Sequence, residues 1–529
     1  MLCTLFTGGH DHSLPAITMD SALLQTSLLV SLAGIVSYVL NKSVTKTLPL
    51  PPGPPADPLI GHLRVFPKAN PELVFHNWAK TYGDIIHLSF FGRSVVVLNS
   101  LEAAVDLLEK RSAIYSDRPD LVVYDLMGWT PNLAFLPYGE RFKKHRAIFH
   151  SHFIPEACVD YQHIQLQNVH LLVEGLIKNQ GNHDRLLSRF TTSIAIRIAY
   201  GHQIRSDDDE YIKIANDCGV ALRQGGAGGT LVDLFPSLQY FPSWFPGTYF
   251  ANVGRGWKWA INRLYDYPYE SVKKEMAEGT AEPSFLAAEL DAAAGRELSK
   301  EEVDDIKGAA GVIFAGGTET TWSSLTVFFL AMLLYPECQK RGQEEVDRVV
   351  GQHRLPSFED IASLPYVNSV VQEVFRWKPV IPLGIPHRCT EDDSYKGMRI
   401  PKGSLVFANA MAMALNPSTY KDPSTFDPPR FLPEADGGRG EPAFEPAFGF
   451  GRRICPGRHL AHASVFIAVA TIFATLNISK AKDEHGSEVT PGLVFETGLT
   501  SHPKPFPCSV VCRSEGAAKL IQEAVDTID

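Results

Sequence analysis

The chain begins with a long apolar stretch that no charge interrupts. Residues 21–40 contain only apolar and uncharged polar residues and are rich in Leu, Val, Ile and Ala. About 20 such residues span the hydrocarbon core of a bilayer, so the pattern predicts a transmembrane helix. Residues 48–55 read Leu-Pro-Leu-Pro-Pro-Gly-Pro-Pro, which favours a stiff, extended connector. We therefore expect an anchor at 21–40, a basic and proline-rich hinge at 41–56 and a globular body at 57–529.

Two other interpretations of the apolar stretch are a signal peptide and a buried core helix. A signal peptide typically starts with basic residues, but residues 1–20 contain no Lys or Arg. The prolines that follow the stretch detach it from the body and disfavour a core helix. Lys42 and Lys46 come after the span. By the positive-inside rule they predict a luminal tail at 1–20 and a body that faces the cytoplasm.

Within the body, the hydrophobic period changes from strand-like to helix-like. Residues 84–99 form two β-rich runs separated by Gly92-Arg93, which predicts a hairpin. Residues 101–111 predict a short amphipathic helix, and helical periodicity dominates from about 140 to 380. The body is therefore expected to be mainly helical with a small β-rich part near its beginning.

The longest helix is predicted to begin after Ser299 and to end at Tyr335. Ser299 and Glu302 form a capping box, and Pro336 stops the helix. At 1.5 Å per residue such a helix is roughly 50 Å long. Glycines in its middle indicate a bend or a close approach by something large. These are Gly311, Gly316 and Gly317.

Residues 231–250 are dense in aromatic residues and prolines and poor in charge. They follow a glycine-rich patch at 225–229, and a second such patch lies at 436–440; both patches are predicted loops. The aromatic segment is either an ordinary packed loop or, given the anchor upstream, a loop that dips into the membrane interface, where Trp and Tyr are favoured.

Composition narrows the class of protein. The chain has 529 residues, 45% of them hydrophobic and 20% charged, as in globular proteins. That length allows about two to four domains, but no strong linker follows residue 60, so one large catalytic domain is favoured. The formal net charge of −10 argues against a nucleic-acid binder. Eight scattered cysteines indicate a reducing compartment, and Cys508 and Cys512 lack a second pair for a zinc site.

The sharpest chemical signal is the segment from Phe448 to Gly457, which reads F-x-x-G-x-R-x-C-x-G. Gly451 and Gly457 permit a tight turn and leave backbone N–H groups free to point at the Cys455 sulfur. The helical pattern after Pro456 places this sulfur beside a helix N-terminus, which stabilises a thiolate. The alternative is a buried cysteine in a glycine loop, and the number of matched positions disfavours it.

This motif resembles the cysteine loop of the cytochromes P-450, and the resemblance to the microsomal, fungal-like members extends from the proline hinge to Cys508. It implies a mainly α fold with a small β-rich lobe. It also implies haem b with Cys455 as the axial thiolate ligand of the iron. Phe448 and Gly457 would line the haem site, and Arg453 would face a haem propionate.

The resemblance continues in the middle of the long helix. The run Gly316-Gly-Thr-Glu-Thr-Thr321 is similar to the family's [AG]-G-x-[DE]-T-[TS]. Splitting O2 requires two protons at a site that otherwise excludes water. The resemblance implies that Glu319 and Thr320 are the catalytic acid and alcohol. A polar break in a core helix is the plainer alternative.

A second matched motif is structural. Glu373-Val-Phe-Arg376 resembles the family's E-x-x-R pair, whose members share one face of a helix. Residues 427–431 resemble the P-E-R-F segment, whose arginine, here Arg430, packs with that pair. Pro429 replaces the usual Glu, which puts the Arg430 network in doubt.

The resemblance also implies further basic groups for the haem propionates. Residues 138–146 are similar to a family helix with a W-x-x-x-R pattern, in which Phe142 replaces the tryptophan and Arg146 is retained. His387 and Arg388 lie where the family places another propionate-binding cation. Arg388 is assigned that role, because His387 alone is more often structural.

A local basic patch stands out on this acidic chain. It suits docking of an acidic flavoprotein, an NADPH-dependent reductase that supplies electrons, although a solvated helix face is the alternative. The patch comprises Lys143, Lys144, Arg452 and Arg458.

These features together predict a monooxygenase of the endoplasmic reticulum membrane that uses O2 and NADPH-derived electrons to hydroxylate a small hydrophobic molecule, in specialised metabolism such as a terpenoid pathway. Two alternatives are a haem-thiolate isomerase or dehydratase that needs no O2 and a haem-thiolate sensor. Neither explains the intact acid–alcohol pair. Substrate contacts are expected from five segments, namely 113–137, 225–244, 312–320, 380–385 and 498–500.

Overall fold

The structure is a computed structural model that describes residues 48–179, 181–226, 228–496 and 498–528. The predicted luminal tail, the predicted anchor and the hinge up to residue 47 lie outside the described residues. The chain divides into two compact units. The larger comprises Leu50–Asp393 and Ile400–Asp529, and the smaller includes the described residues 48–49 and 394–399.

Helices form most of the described chain. They are α1 Pro71–Tyr82, α2 Leu101–Ala104, α3 Ser112–Tyr115, α4 Val122–Met127, α5 Glu140–Phe153, α6 Pro155–Cys158, α7 Gln162–Lys178, α8 His183–Tyr200, α9 Glu210–Gln224, α10 Leu231–Leu234, α11 Tyr249–Glu278, α12 Phe285–Ala292, α13 Lys300–Leu334, α14 Pro336–Val349, α15 Pro365–Trp377, α16 Ala410–Ala414, α17 Arg458–Thr475 and α18 Glu515–Asp526. A π-helical turn, Val105–Lys110, continues α2, so the helix predicted at 101–111 is present.

The strands are short, and they are β1 Ile85–Phe90, β2 Arg93–Leu98, β3 His387–Arg388, β4 Asp393–Tyr395, β5 Met398–Ile400, β6 Leu405–Ala408, β7 Leu476–Lys480 and β8 Cys508–Cys512. The first sheet has the order β1-β2-β6-β3. The predicted hairpin is confirmed, because β1 and β2 pair antiparallel. β6 lies parallel to β2 and antiparallel to β3, which brings the distant segment at 387 to the amino-terminal sheet. The mainly helical fold with small β-sheets agrees with the prediction.

Helix α13 runs as the capping box predicted. The Ser299 side chain accepts from the Glu302 N–H, and the Glu302 carboxylate accepts from the Ser299 backbone. The helix continues unbroken through its glycines to Leu334. Close approach explains Gly311, because a Cβ there would collide with the Tyr265 ring, whereas Gly316 faces open space.

Helix α17 is the apolar core helix that follows the cysteine loop. In the part of the chain that the structure describes, it is the one helix long and apolar enough to cross a membrane, but two-thirds of that segment is buried inside the protein. Its packing with α7, α14 and α15 gives the cysteine loop a rigid support.

The aromatic segment 231–250 starts with the short helix α10 and ends as α11 begins. Between them, large aromatic side chains project into solvent, with Tyr240 83% and Trp244 78% exposed. This exposure is unusual for side chains of such size.

Candidate active site

A mostly apolar cavity of about 310 Å³ is lined by Cys455 and by residues from the middle of α13. Three of the five segments expected to contact a substrate line it, namely 113–137, 312–320 and 380–385. Among the described residues, none from 225–244 or 498–500 reaches the lining. Apolar lining residues include Leu133, Phe149, Ile194, Val312, Ile313, Val380, Ile381 and Phe448.

The loop around Cys455 folds back on itself just before α17. The Cys455 backbone N–H donates to the Phe448 carbonyl oxygen over 2.8 Å. Gly451 has a φ of 55°, and a Cβ at this position would collide with the Leu108 carbonyl oxygen, so glycine is required there. Gly457 has an ordinary backbone conformation, and its N–H acts to lower the pKa of the Cys455 thiol.

Burial of Cys455 disfavours its thiolate form unless a positive charge lies beside the sulfur. Burial raises the pKa of its thiol above the usual value, although the Gly457 N–H and the nearby Arg146 and Arg458 act in the opposite direction. A thiolate here is therefore incompletely stabilised by the protein alone. A bound metal ion would supply the missing charge.

Basic side chains surround the same cavity. Burial lowers the pKa of Arg118 and of His387, and it lowers the pKa of Arg453 to about 10. Arg146 also lines the cavity and donates to the Ile454 carbonyl oxygen over 2.6 Å. No acidic side chain of the described residues lines the cavity. Desolvated arginines that form no ion pair with a carboxylate of the described residues make this an anion-binding environment.

The structure places Arg388 elsewhere than expected. Its guanidinium lies 2.6 Å from Asp117 and 3.4 Å from Asp120, and it does not line the cavity. Arg118 lines it instead, fixed by hydrogen bonds to the carbonyl oxygens of Ile385 and Pro386 over 2.7 and 2.8 Å. Sequence reasoning missed Arg118, because no motif marks it, although its segment was among those expected at the pocket.

The replacement of tryptophan by Phe142 has a visible consequence. The Arg453 guanidinium stacks over the Phe142 ring at 3.8 Å from its centroid. Arg453 also donates to the carbonyl oxygens of Ser116 and Leu136 over 2.7 and 2.8 Å. The aromatic ring therefore positions a cavity cation by stacking rather than by donating its own hydrogen bond.

Glu319 and Thr320 point in different directions. Thr320 lines the cavity, and its hydroxyl donates to the Gly316 carbonyl oxygen over 2.7 Å. Glu319 is buried behind the lining, where Arg223 donates to its carboxylate over 2.9 Å and the Thr500 hydroxyl over 3.2 Å. The structure therefore brings the alcohol, but not the carboxylate, onto the cavity wall.

Glu373 and Arg376 form a fully buried pair on α15, with nitrogen–oxygen distances of 2.6 and 2.8 Å. Arg430 completes the network, since it donates to Glu373 over 3.0 Å and to Glu441 over 2.7 Å. The Arg430 network thus exists despite Pro429, and Glu441 supplies its second carboxylate. Sequence reasoning gave no sign of Glu441.

The residues of this cavity fit a haem. The Cys455 sulfur on the cavity wall suits an iron ion as its ligand. The lining arginines, which form no ion pair with a described carboxylate, suit the two propionates. The apolar walls suit the macrocycle. Among the described residues, no cluster of three or more His, Cys, Asp or Glu side chains offers a different metal site.

Comparison with known proteins agrees with this geometry. Residues 51–507 match the family model described as Cytochrome P450. Cytochrome P450 monooxygenase 136 of Postia placenta is 40% identical over 90% of this chain and 91% of its own length. Cytochrome P450 monooxygenase claR of Ampulloclitocybe clavipes is 40% identical over 93% of this chain and 92% of its own length.

A further relative carries a substrate in its name. Tryptamine 4-monooxygenase of Psilocybe cyanescens is 37% identical over 93% of this chain and 99% of its own length. Matches of this extent cover the cavity and all the helices around it, and the family they define holds a haem through a cysteine thiolate. The chain therefore belongs to the cytochrome P450 family and is a monooxygenase similar to those of fungi.

Proposed function

We propose that this monooxygenase hydroxylates a small hydrophobic molecule, with Cys455 as the iron ligand and electrons supplied from NADPH by a separate flavoprotein reductase. The observation that carries the proposal is the convergence of one sulfur, several desolvated cations and the Thr320 hydroxyl on one apolar cavity. Haem b bound there would supply O2 binding and cleavage. The protein residues would hold it, orient the substrate and manage protons.

The protein would hold the haem at two places, the iron and the propionates. Cys455 would ligate the iron, with the Gly457 N–H tempering the charge on sulfur. Arg118, Arg146 and Arg453 would bind the propionates, because they line the cavity and form no ion pair with a carboxylate in the described part of the chain. Arg388, expected in this role from sequence, would act indirectly by occupying Asp117, which otherwise would neutralise a neighbouring cation.

Proton delivery would use Glu319 and Thr320 one after the other, because only Thr320 lines the cavity. The Thr320 hydroxyl on the cavity wall would hold a proton at Oγ1 for transfer to oxygen. The Glu319 carboxylate behind the wall would take up a proton from solvent and pass it on, and Arg223, about a quarter exposed, connects this carboxylate towards solvent. The remaining cavity wall is largely apolar and excludes bulk water.

The expected substrate is small, neutral and hydrophobic. The lining offers hydrophobic surface and a few hydroxyls, and none of its described residues is acidic. A product of specialised metabolism, such as a terpenoid, fits these walls. One relative is named for acting on tryptamine, which supports a small-molecule substrate.

The reductase would dock on the basic patch around Tyr138. The Lys143 ammonium lies 6.0 Å and the Arg452 guanidinium 5.4 Å from the centroid of that ring. Arg458 donates to the Cys455 carbonyl oxygen over 3.1 Å, which links the patch to the loop of the iron ligand. A positive patch this close to the thiolate suits steering of an acidic electron donor.

The endoplasmic reticulum membrane is the proposed location, with the body on the cytoplasmic side and the exposed aromatic segment in the interface. Full-length chain in vesicles with brominated acyl chains is expected to show quenched tryptophan fluorescence, because Trp244 is exposed and Trp favours the interface. W244F should lower the quenched fraction. Equal quenching in both proteins would show that this segment stays in water.

Thr320→Ala is expected to uncouple electron use from product formation. Without the hydroxyl on the cavity wall, proton delivery fails and reduced oxygen leaves as hydrogen peroxide. Product formed per NADPH should fall by about a hundredfold, the low end of what a general acid contributes. T320S, which keeps the hydroxyl, is the control. Unchanged coupling in T320A would assign proton delivery to another group.

The function is tested by a carbon-monoxide difference spectrum of the reduced protein, followed by NADPH consumption with an added reductase. A strongly red-shifted Soret band together with substrate-dependent, O2-dependent NADPH consumption is expected. A red-shifted band without any reductase-dependent turnover of hydrophobic substrates would support the haem site but contradict the proposed reaction. Haem binding without the red shift would contradict the assignment of Cys455 as the thiolate ligand.

A further inference from the structure

Asp305 on α13 contacts three basic side chains of α5. Its Oδ1 accepts from the Arg141 Nε over 2.6 Å, and its Oδ2 accepts from the Lys144 Nζ over 3.2 Å. The His145 Nε2 lies 3.0 Å from Oδ1. These three residues occupy one face of α5 at spacings of three and four. One carboxylate therefore joins two helices that are about 160 residues apart in the chain.

The junction is buried and charged. Asp305 is 2% exposed and His145 is fully buried. Burial alone would raise the pKa of Asp305, but His145 and Arg141 hold it below its usual value. Burial lowers the pKa of His145, and Arg141 and Lys144 provide positive charge opposite the carboxylate.

The adjacent face of α5 belongs to the cavity. Phe142, Arg146, Phe149 and Phe153 all line it. The second half of α5 has its own anchor, because Phe149 stacks on Phe285 of α12 at 6.1 Å. The first half, which carries Phe142 and Arg146, is joined to α13 through Asp305.

We propose that Asp305 is a positioning residue for the haem. By fixing the first half of α5 against α13, it sets where the Arg146 guanidinium stands in the cavity. Asp305 itself does not line the cavity and acts only through α5. The inference rests on the proposed role of Arg146 as a propionate partner. It adds a buried carboxylate, far from the cysteine loop in sequence, to the residues that determine haem retention.

The test is the rate at which the holoenzyme loses haem to an apoglobin acceptor. Asp305→Asn keeps the shape but removes the charge that holds the cations, and we expect haem loss to accelerate about tenfold, as for a residue that supports a direct ligand. R146Q should accelerate it by a similar factor. E140Q, which breaks an exposed ion pair with Lys143 on the same helix, should leave the rate unchanged.

A double-mutant cycle separates positioning from general destabilisation. If Asp305 acts through Arg146, the double variant should lose haem no faster than about twofold beyond either single variant. A product of the two single effects, or an unchanged rate in D305N, would overturn the proposal. No effect of R146Q would instead overturn the propionate role of Arg146. Should D305N fail to fold, R141Q with K144Q, both at partly exposed positions, must accelerate haem loss in the same Arg146-dependent way.

Discussion

Cys455→Ala is expected to abolish monooxygenase activity, with a loss of at least about three orders of magnitude, because the haem performs the oxygen chemistry and the thiolate enables O–O cleavage. The carbon-monoxide difference spectrum should lose its red-shifted Soret band. The protein should still fold, since the loop is held by the Cys455 N–H bond to Phe448 and by Gly451, neither of which needs the sulfur.

The matched control for this substitution is Cys512→Ala. Cys512 is also partly exposed, but it lies on β8 away from the cavity. C512A should keep both the red-shifted band and full turnover. A C455A protein that retained the band would require another sulfur ligand, and loss of the band in C512A would point to that residue.

Short-range patterns predicted most of the local structure. The capping box at Ser299 and Glu302 marked the start of α13 correctly, because both hydrogen bonds join residues three apart. The Gly92-Arg93 hairpin was equally local. The tight turn at Gly451 was predictable, because glycine adopts a left-handed backbone conformation far more readily than other residues.

Groups that come together across the fold were not predictable in the same way. Arg118 reaches the cavity through bonds to Ile385 and Pro386, which are over 260 residues away. Glu441 is a second carboxylate partner of Arg430 beside the expected Glu373, and Asp305 binds basic side chains of α5. Such pairs leave no periodic trace in one sequence, because each depends on how several elements pack.

The directions of Glu319 and Thr320 were not predictable from the helix period alone. Consecutive residues of an α-helix are rotated by about 100°, and two neighbours can still line one cavity, as Val312 and Ile313 do. The Arg223 and Thr500 contacts that hold Glu319 decide its direction.

Glu373→Ala is expected to prevent accumulation of folded holoenzyme. The substitution leaves Arg376 and Arg430 without their shared carboxylate, and both guanidinium groups are fully buried. Breaking such a buried network costs about 3–5 kcal/mol. That is a large part of the roughly 5–15 kcal/mol that stabilises a typical domain. The measurement is the yield of haem-loaded protein together with its thermal unfolding temperature.

Glu140→Ala provides the comparison, because Glu140 and Lys143 form a pair with the same spacing of three on a helix but in full contact with water. Its loss should cost at most about 0.5 kcal/mol. The contrast sets a buried carboxylate shared by two guanidinium groups against a single exposed pair with the same spacing. If E373A accumulated like E140A, the carbonyl oxygens of Ala414, Pro423 and Thr425, which also accept from Arg376, would suffice to hold the buried charge. The carboxylate would then contribute specificity of packing rather than stability.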